Sequence, residues 1–291
     1  MPSLLPGHYA AVKVRKELYV TKEEGVPPQL VMQNHLLERL LERISLCSWR
    51  ENVVVKGGML ISSLVGVDKR GTKDLDTTVR GFPLTHESAE RAFREIAATE
   101  VGDDFTFEFV RTTDIRESDD YPGIRVHLLA NYGKISSTVT VDVTTGDKIT
   151  PGAIEYGYRL MFDDREISLM AYPLATILAE KLETVLSRGV TNTRPRDYYD
   201  LYTLWAMRES EVDVAVLREA LTATADKRGS LETMFAYRET MAEVAADPGM
   251  LGHWEVYARD YPYVGELTLA DACDTVVVIM EAMGWHAVAE H

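Results

Sequence analysis

One segment constrains the fold of this chain more than any other, a β-branched run that ends in a glycine pair and then becomes helical. The run Asn52–Val55 leads into Lys56-Gly57-Gly58, and apolar residues at helical spacing begin at Met59. Lys73-Asp74-Leu75-Asp76 then opens a second β-branched run. Strand, glycine turn, helix and strand in this order predict a mixed α/β architecture.

The glycine pair is a candidate phosphate-binding turn. Glycine has no Cβ, so the backbone at Gly57 and Gly58 can approach a ligand closely. The helix that follows offers free amide groups and the positive end of its dipole to a phosphate. We therefore take Lys56, Gly57 and Gly58 as candidate nucleotide-binding residues, with a purely structural tight turn as the alternative.

Asp74 and Asp76 form a candidate metal site. Because side chains alternate across a strand, the two carboxylates point to one face while Leu75 points to the other. Carboxylates held this close repel each other unless a cation lies between them, and oxygen ligands of this kind suit Mg²⁺. The pair favours a divalent ion, and an exposed strand end without metal is the alternative.

Asp142 is a candidate third metal ligand. In the run Thr138–Val143 the valines occupy one face of a strand, whereas the threonines and Asp142 occupy the other. If this strand neighbours the one that begins at Leu75, three carboxylates converge, and such a set can hold metal ions for in-line attack on a phosphoryl group. Asp142 is equally compatible with a turn before Gly146.

Two cations fall where a helix is expected to be apolar. In the helix predicted over 173–188, Lys181 and Arg188 lie in or beside the apolar stripe. Such positions are costly unless an anion pairs with the cation, so they indicate an interior site for negative charge such as a triphosphate. Snorkelling to the surface or pairing with structural acids is the alternative.

The next helix contributes a candidate acid. Asp197 lies on the same side as Leu201 and Leu204, which points it inward, whereas Asp200 lies nearer the flank. We therefore take Asp197, rather than Asp200, as the candidate active-site acid. An acid in the first helical turn also stabilises the helix dipole, so a structural role for Asp197 stays open.

The net charge does not identify a binding partner, whereas the missing motifs exclude several classes of enzyme. The 291 residues carry a formal net charge of −15, and from Glu209 to His291 there are 5 basic and 16 acidic residues, so the earlier residues can still form a basic groove. No serine-hydrolase, Walker A or Rossmann pattern occurs, and the histidines lack metal-binding spacing.

Without a membrane-length apolar run or a signal-peptide pattern, we expect a cytoplasmic protein with no membrane contact.

The remaining pattern predicts a mixed sheet followed by a mainly helical region. After an amphipathic helix over 28–46, a helix over 86–98 capped by Thr85 is followed by strands near 105–110, 124–130 and 138–143. Beyond Thr150 the pattern is mostly helical, with helices near 173–188, 196–208, 212–225, 230–245 and 268–283. We expect an α/β (α+β) fold with one domain over 1–160 and a helical domain over 161–291.

The chain resembles the AbiEii/AbiGii (Men-type) toxin family of nucleotidyltransferases between about residues 30 and 210. The resemblance rests on Lys56-Gly57-Gly58, Asp74-Leu75-Asp76, Asp142, Ala179-Glu180-Lys181-Leu182 and Arg196-Asp197-Tyr198-Tyr199-Asp200-Leu201. The Gly-Gly and Asp-x-Asp motifs are shared by the whole nucleotidyltransferase superfamily. The Glu-Lys-Leu helix followed by Arg-Asp-x-x-Asp-Leu is more specific to the toxin family.

The resemblance implies a nucleotidyltransferase fold with a mixed central sheet, whose active site a helical C-terminal domain completes. It implies a toxin of a bacterial toxin–antitoxin or phage-defence system, with a cognate antitoxin. Such a toxin transfers NMP from an NTP to the acceptor end of tRNA and so inhibits translation. Carried over by position, Asp74 and Asp76 would bind Mg²⁺, Lys181 would hold the triphosphate and Asp197 would complete the active site. Asp142 would match the third carboxylate of the superfamily, on which this family depends less uniformly.

Two alternatives share these residues. A nucleotidyltransferase that modifies a protein or small-molecule hydroxyl would use the same catalytic groups on a different acceptor. A catalytically silent module could use the same pocket to bind a nucleotide or an antitoxin. All of the candidate active-site acids and Lys181 are present, which argues against the silent module.

Overall fold

The computed structural model describes residues 28–115, 123–162 and 164–285. These residues form two compact units. The first contains the described residues up to Asp147 together with Ile154–Ala171, and the second contains Lys148–Ala153 and the described residues from Tyr172 onwards. Among the described helices, none is both long enough and apolar enough to cross a lipid bilayer.

The first unit is a mixed β-sheet with helices packed against it, which confirms the predicted fold class. The helices are α1 (Pro28–Leu46), α2 (Gly57–Val65) and α3 (His86–Ala98). The strands are β1 (Val53–Lys56), β2 (Leu75–Val79), β3 (Phe105–Ile115), β4 (Gly123–Tyr132), β5 (Ile135–Thr145), β6 (Ile154–Arg159) and β7 (Glu166–Ala171). Their order is β3-β4-β5-β2-β1-β7-β6, in which β2–β5 and β1–β7 are parallel and the other neighbours antiparallel.

The two faces of the sheet differ in the way the alternation along β5 predicts. Val139, Val141 and Val143 are fully buried, and helices α1 and α3 pack against the strands. Thr140 and Asp142 point to the opposite face because successive side chains of a strand alternate. The polar face of the sheet therefore carries the candidate carboxylates.

The prediction that the chain is mostly helical beyond Thr150 is wrong for residues 154–171. Here β6 and β7 form an antiparallel hairpin, and β7 also pairs with β1 at Val54 and Val55. Strand β6 lies at the edge of the sheet and is mostly exposed, so it lacks the apolar alternation of a half-buried strand. Strand β7 is stabilised by its pairing with a segment more than a hundred residues earlier, which no local pattern reveals.

The second unit is helical, as predicted for most of its length. Its helices are α4 (Leu174–Arg188), α5 (Pro195–Arg208), α6 (Val214–Arg228), α7 (Tyr237–Ala246), α8 (Pro248–Asp260) and α9 (Leu269–Ala282). Helix α4 packs against α5, α6 and α7, and α9 packs against α5 and α7. Helix α5 is thus enclosed by several neighbours, which buries more than one of its faces.

The region after α6 differs from the prediction of one helix over 230–245. A 3-10 segment, Leu231–Ala236, precedes α7, and α8 follows at once. Helix α8 begins at Pro248, and the carboxylate of Asp247 accepts the N–H of Met250 at 2.8 Å. The sequence contains this start signal, an Asp followed by Pro at the first helical position.

Charged residues between the leucines of α1 are buried together with them. Arg43 is 3% exposed and donates to both carboxylate oxygens of Asp103, at 3.1 and 2.7 Å. It also donates to the carbonyl of Phe105 at 2.6 Å. Arg43 therefore joins α1 to the start of β3 through three hydrogen bonds.

We expect Arg43→Met to destabilise the first unit by about 3 kcal/mol, because it leaves a largely buried carboxylate and a carbonyl without their donor. Urea unfolding followed by circular dichroism would measure the loss. Arg159→Met is the matched control, since Arg159 is 78% exposed and lies 3.7 Å from its partner Asp164. Equal midpoints for the two variants would contradict the structural role of Arg43.

Candidate active site

The candidate residues of the first unit lie in one row across the polar face of the sheet. The register places Lys56 opposite Asp76, Asp76 opposite Asp142, and Asp142 opposite Arg125. Side chains directly opposite each other on neighbouring strands share a face. Two acids thus lie between two cations, and Asp74, two residues before Asp76, belongs to the same face.

Asp74 and Asp76 are each held through one carboxylate oxygen. The hydroxyl of Thr140 donates to Oδ1 of Asp74 in a short hydrogen bond. The N–H of Gly58 donates to Oδ2 of Asp76 at 3.3 Å. Within the described ranges the second oxygen of each carboxylate accepts no hydrogen bond. One oxygen of each acid therefore remains for a ligand.

The electrostatic environment of Asp76 favours a bound cation. Burial raises the pKa of Asp76 above its ordinary value, and the nearby charges of Asp142 and Asp74 raise it further. Lys56 and the amide of Gly58 lower it but do not offset these effects. The ionised carboxylates of Asp74, Asp76 and Asp142 repel one another, and a divalent ion would relieve this repulsion.

Asp142 reaches the predicted position but is already paired. Arg125 donates from Nε to Oδ1 at 2.6 Å and from Nη2 to Oδ2 at 2.7 Å, so both carboxylate oxygens are engaged. Across the described residues, no group of three or more His, Cys, Asp or Glu side chains is arranged to hold a metal. Asp74 and Asp76 alone still fit Mg²⁺, which is commonly bound by one or two carboxylates together with water and phosphate oxygens.

The glycine pair packs closely against Thr72 and Asp76. Gly57 has φ +65°, and a Cβ there would lie 2.1 Å from Oδ2 of Asp76. A Cβ at Gly58 would lie 2.6 Å from Oγ1 of Thr72. A side chain at Gly57 would collide with the carboxylate of Asp76, and one at Gly58 would collide with Thr72. Lys56, just before the pair, forms an ion pair of 2.6 Å with Asp147.

The second unit brings Lys181 together with two acids from the start of α5. Nζ of Lys181 lies 2.6 Å from Oδ1 of Asp197 and 2.8 Å from Oδ2 of Asp200. Burial lowers the pKa of Lys181, but the two carboxylates more than offset this, so the pKa lies above its ordinary value. The ammonium group therefore stays charged over the whole physiological range. Lys181 is a cation held inside the helical unit, as its place in the apolar stripe predicts.

The structure corrects the orientation predicted for the two acids. The side chain of Asp200 is fully buried, whereas that of Asp197 is 13% exposed. Asp200 is therefore not on the flank, because neighbouring helices enclose more of α5 than a single apolar stripe suggests. Arg188 is half-buried at the last residue of α4, about 10 Å along the helix axis from Lys181.

Four residues at these sites were not singled out from the sequence. They are Thr140, Arg125, Asp147 and Asp200, which contact Asp74, Asp142, Lys56 and Lys181 respectively. Alternation along β5 placed Thr140 on the polar face, and the same alternation along β4 could have placed Arg125 there. The spacing of three residues between Asp197 and Asp200 could likewise have placed both acids within reach of one cation.

Comparison with known proteins gives a family match that covers both units. Residues 39–277 match the family model described as nucleotidyl transferase AbiEii toxin, type IV toxin–antitoxin system. Among curated proteins, none matches the sequence significantly. The matched range includes every candidate site residue of both units.

The solved structures that match this chain are distant in sequence. MenT4, a nucleotidyltransferase toxin from Mycobacterium tuberculosis H37Rv, is 16% identical, with 89% of this chain and 94% of that chain covered and a TM-score of 0.49. JHP933 from Helicobacter pylori is 12% identical, with 89% and 93% covered and a TM-score of 0.48. The family assignment rests on the match over residues 39–277 and not on these structures.

We expect Gly57→Ala to cost more stability than the same change at Gly102. Both glycines have positive φ, so alanine is strained at either position by about 1–2 kcal/mol, but only Gly57 has atoms within 4 Å of the added methyl group. Thermal unfolding of the two variants would measure the difference. Equal losses would show that the close approach of Gly57 to Asp76 does not constrain the fold.

We expect Asp76→Asn to stabilise the protein in the presence of EDTA. The substitution removes a buried charge beside two other carboxylates, while the amide oxygen can still accept the N–H of Gly58. A gain of about 1 kcal/mol raises the melting temperature by about 2–4 °C in a chain of this size. Asp114→Asn, at a side chain that is 77% exposed, is the control. A lower melting temperature for Asp76→Asn alone would contradict this account of the site.

Proposed function

The chain belongs to the AbiEii nucleotidyl transferase toxin family of type IV toxin–antitoxin systems, and we propose that it transfers NMP from an NTP to the acceptor end of tRNA. Membership makes the chain a nucleotidyltransferase that uses NTP, and it implies a cognate antitoxin. The observation that carries the proposal is the pair Asp74 and Asp76, each with one oxygen left for a ligand, beside a glycine turn at a helix N-terminus. The tRNA acceptor is proposed from the family resemblance.

The first unit contributes the groups proposed to bind metal and phosphate. Asp74 and Asp76 would hold Mg²⁺, which neutralises phosphate charge when it is bound. Lys56 and the backbone at Gly57 and Gly58 would contact the nucleotide. Asp142 is the weaker candidate for metal, because its two oxygens are occupied by Arg125.

The second unit contributes the groups proposed to bind the triphosphate. Lys181 and Arg188 would hold its negative charge, and Asp197 would complete the active site. In the reaction, a hydroxyl of the acceptor attacks the α-phosphorus, a new P–O bond forms, and the bond to pyrophosphate breaks. The proton of the hydroxyl passes to water, and pyrophosphate leaves with the bonding electrons. The enzyme accelerates this step mainly by positioning and by charge neutralisation.

Translation would stop because a tRNA extended at its acceptor end cannot be aminoacylated. The neutralising antitoxin and a role in phage defence follow from the same proposal. A small winged-helix protein encoded beside this chain would be an antitoxin candidate and would support the toxin role.

Transfer of label from each α-³²P NTP to total tRNA, with Mg²⁺, tests the proposal. We expect label on tRNA with wild type and a loss of at least about a thousand-fold with Asp76→Asn, equivalent to about 4 kcal/mol. Asp114→Asn should transfer as wild type does. Circular dichroism would confirm that Asp76→Asn is folded.

Other distributions of label would redirect the proposal. Label on the protein, or on a small molecule added as acceptor, would replace tRNA with another hydroxyl. No transfer to any acceptor, combined with measurable NTP binding, would favour a silent nucleotide-binding module.

A further inference from the structure

Lys181 is bound on two sides by carboxylates that differ in their access to solvent. The side chains of Lys181 and Asp197 are 15% and 13% exposed, whereas that of Asp200 is fully buried. Both acids come from the first two turns of α5, and both lie within hydrogen-bonding distance of Nζ. The three side chains thus form a cluster in which one acid is fully buried and the other is partly exposed.

These two contacts oppose the role proposed for Lys181. Both carboxylates already contact the ammonium group, so a triphosphate must compete with them for it. The triphosphate can bind Lys181 well only if a carboxylate gives up its contact. The exposures indicate which one, because an anion from solvent can reach the side of Asp197 but not that of Asp200.

We propose that Asp200 is a positioning residue that anchors Lys181, and that Asp197 is the carboxylate whose contact the triphosphate replaces. This inference rests on the proposed function, in which Lys181 binds the triphosphate. A lysine held by a buried acid keeps its charge and direction while its second contact changes. Asp197 is thereby released from the lysine at the moment when the nucleotide is bound.

A buried carboxylate suits the anchoring role better than a neutral group. Burying an ammonium group is unfavourable unless a partner charge compensates. Asp200 supplies that compensation when Asp197 no longer does. The raised pKa of Lys181 agrees with this arrangement, since the charges of both acids outweigh the effect of burial.

The two acids should have opposite effects on nucleotide binding. Isothermal titration with each of the four NTPs and Mg²⁺, without acceptor, would give the Kd for wild type, Asp197→Asn and Asp200→Asn. We expect Asp200→Asn to weaken binding by about tenfold, as for a lost hydrogen bond to a charged group. We expect Asp197→Asn to tighten binding severalfold, because it removes a competitor for the lysine and a charge that repels phosphate. Asp260→Asn, at an exposed side chain of the same unit, is the control and should bind as wild type does.

A second pair of variants separates anchoring from a merely structural role. In a Lys181→Met background, adding Asp200→Asn should leave NTP affinity unchanged, because the acid acts through the lysine. This comparison also serves if Asp200→Asn alone fails to fold, since the double variant contains no unpaired buried charge at these two positions. A further loss of affinity in the double variant would overturn the proposal.

The failure of this inference differs from the failure of the proposed function. Wild type that binds NTP, with both single variants weakened to the same extent, would overturn the anchoring role and leave the nucleotidyltransferase reaction intact. Wild type that binds none of the four NTPs would overturn the role of Lys181 in triphosphate binding, and the anchoring role with it.

Discussion

The parallel pairing of β2 with β5 determines the arrangement of the first unit. It sets Asp76 directly opposite Asp142, and the antiparallel neighbours on each side add Lys56 and Arg125 to the same row. Four charged side chains from four strands thus face one space without any of them being close in sequence. A slip of one residue in this register would turn Asp76 toward the buried face. The valines of β5 on that face make such a slip costly, so the apolar core also fixes the geometry of the candidate site.

The sequence predicted the elements that have strong local signals. The strand at Val53–Lys56, the strand at Leu75–Val79 and the Thr85 cap appear where the pattern places them. The alternation along Thr138–Val143 also predicted correctly which side chains are buried. These elements are specified by residues close together in the chain, which is why a single sequence is enough to find them.

The elements and contacts that the sequence did not predict depend on long-range contacts. Strand β7 exists because β1 offers it a partner, and β6 has few buried side chains to mark it. The pairing of Asp142 with Arg125 requires knowledge of which strands are neighbours. The burial of Asp200 requires knowledge of how many helices surround α5. In each case the deciding interaction joins segments whose pairing no local pattern encodes.

The hairpin of β6 and β7 has a consequence for synthesis of the chain. Strand β1 is made early, but its second neighbour in the sheet, β7, ends at Ala171. Until the ribosome has released that strand, one edge of β1 has no partner, and an unpaired edge is a template for aggregation. A nascent chain that stalls before residue 166 therefore lacks a complete sheet. The sheet of the first unit can therefore be completed only after Ala171 has been translated.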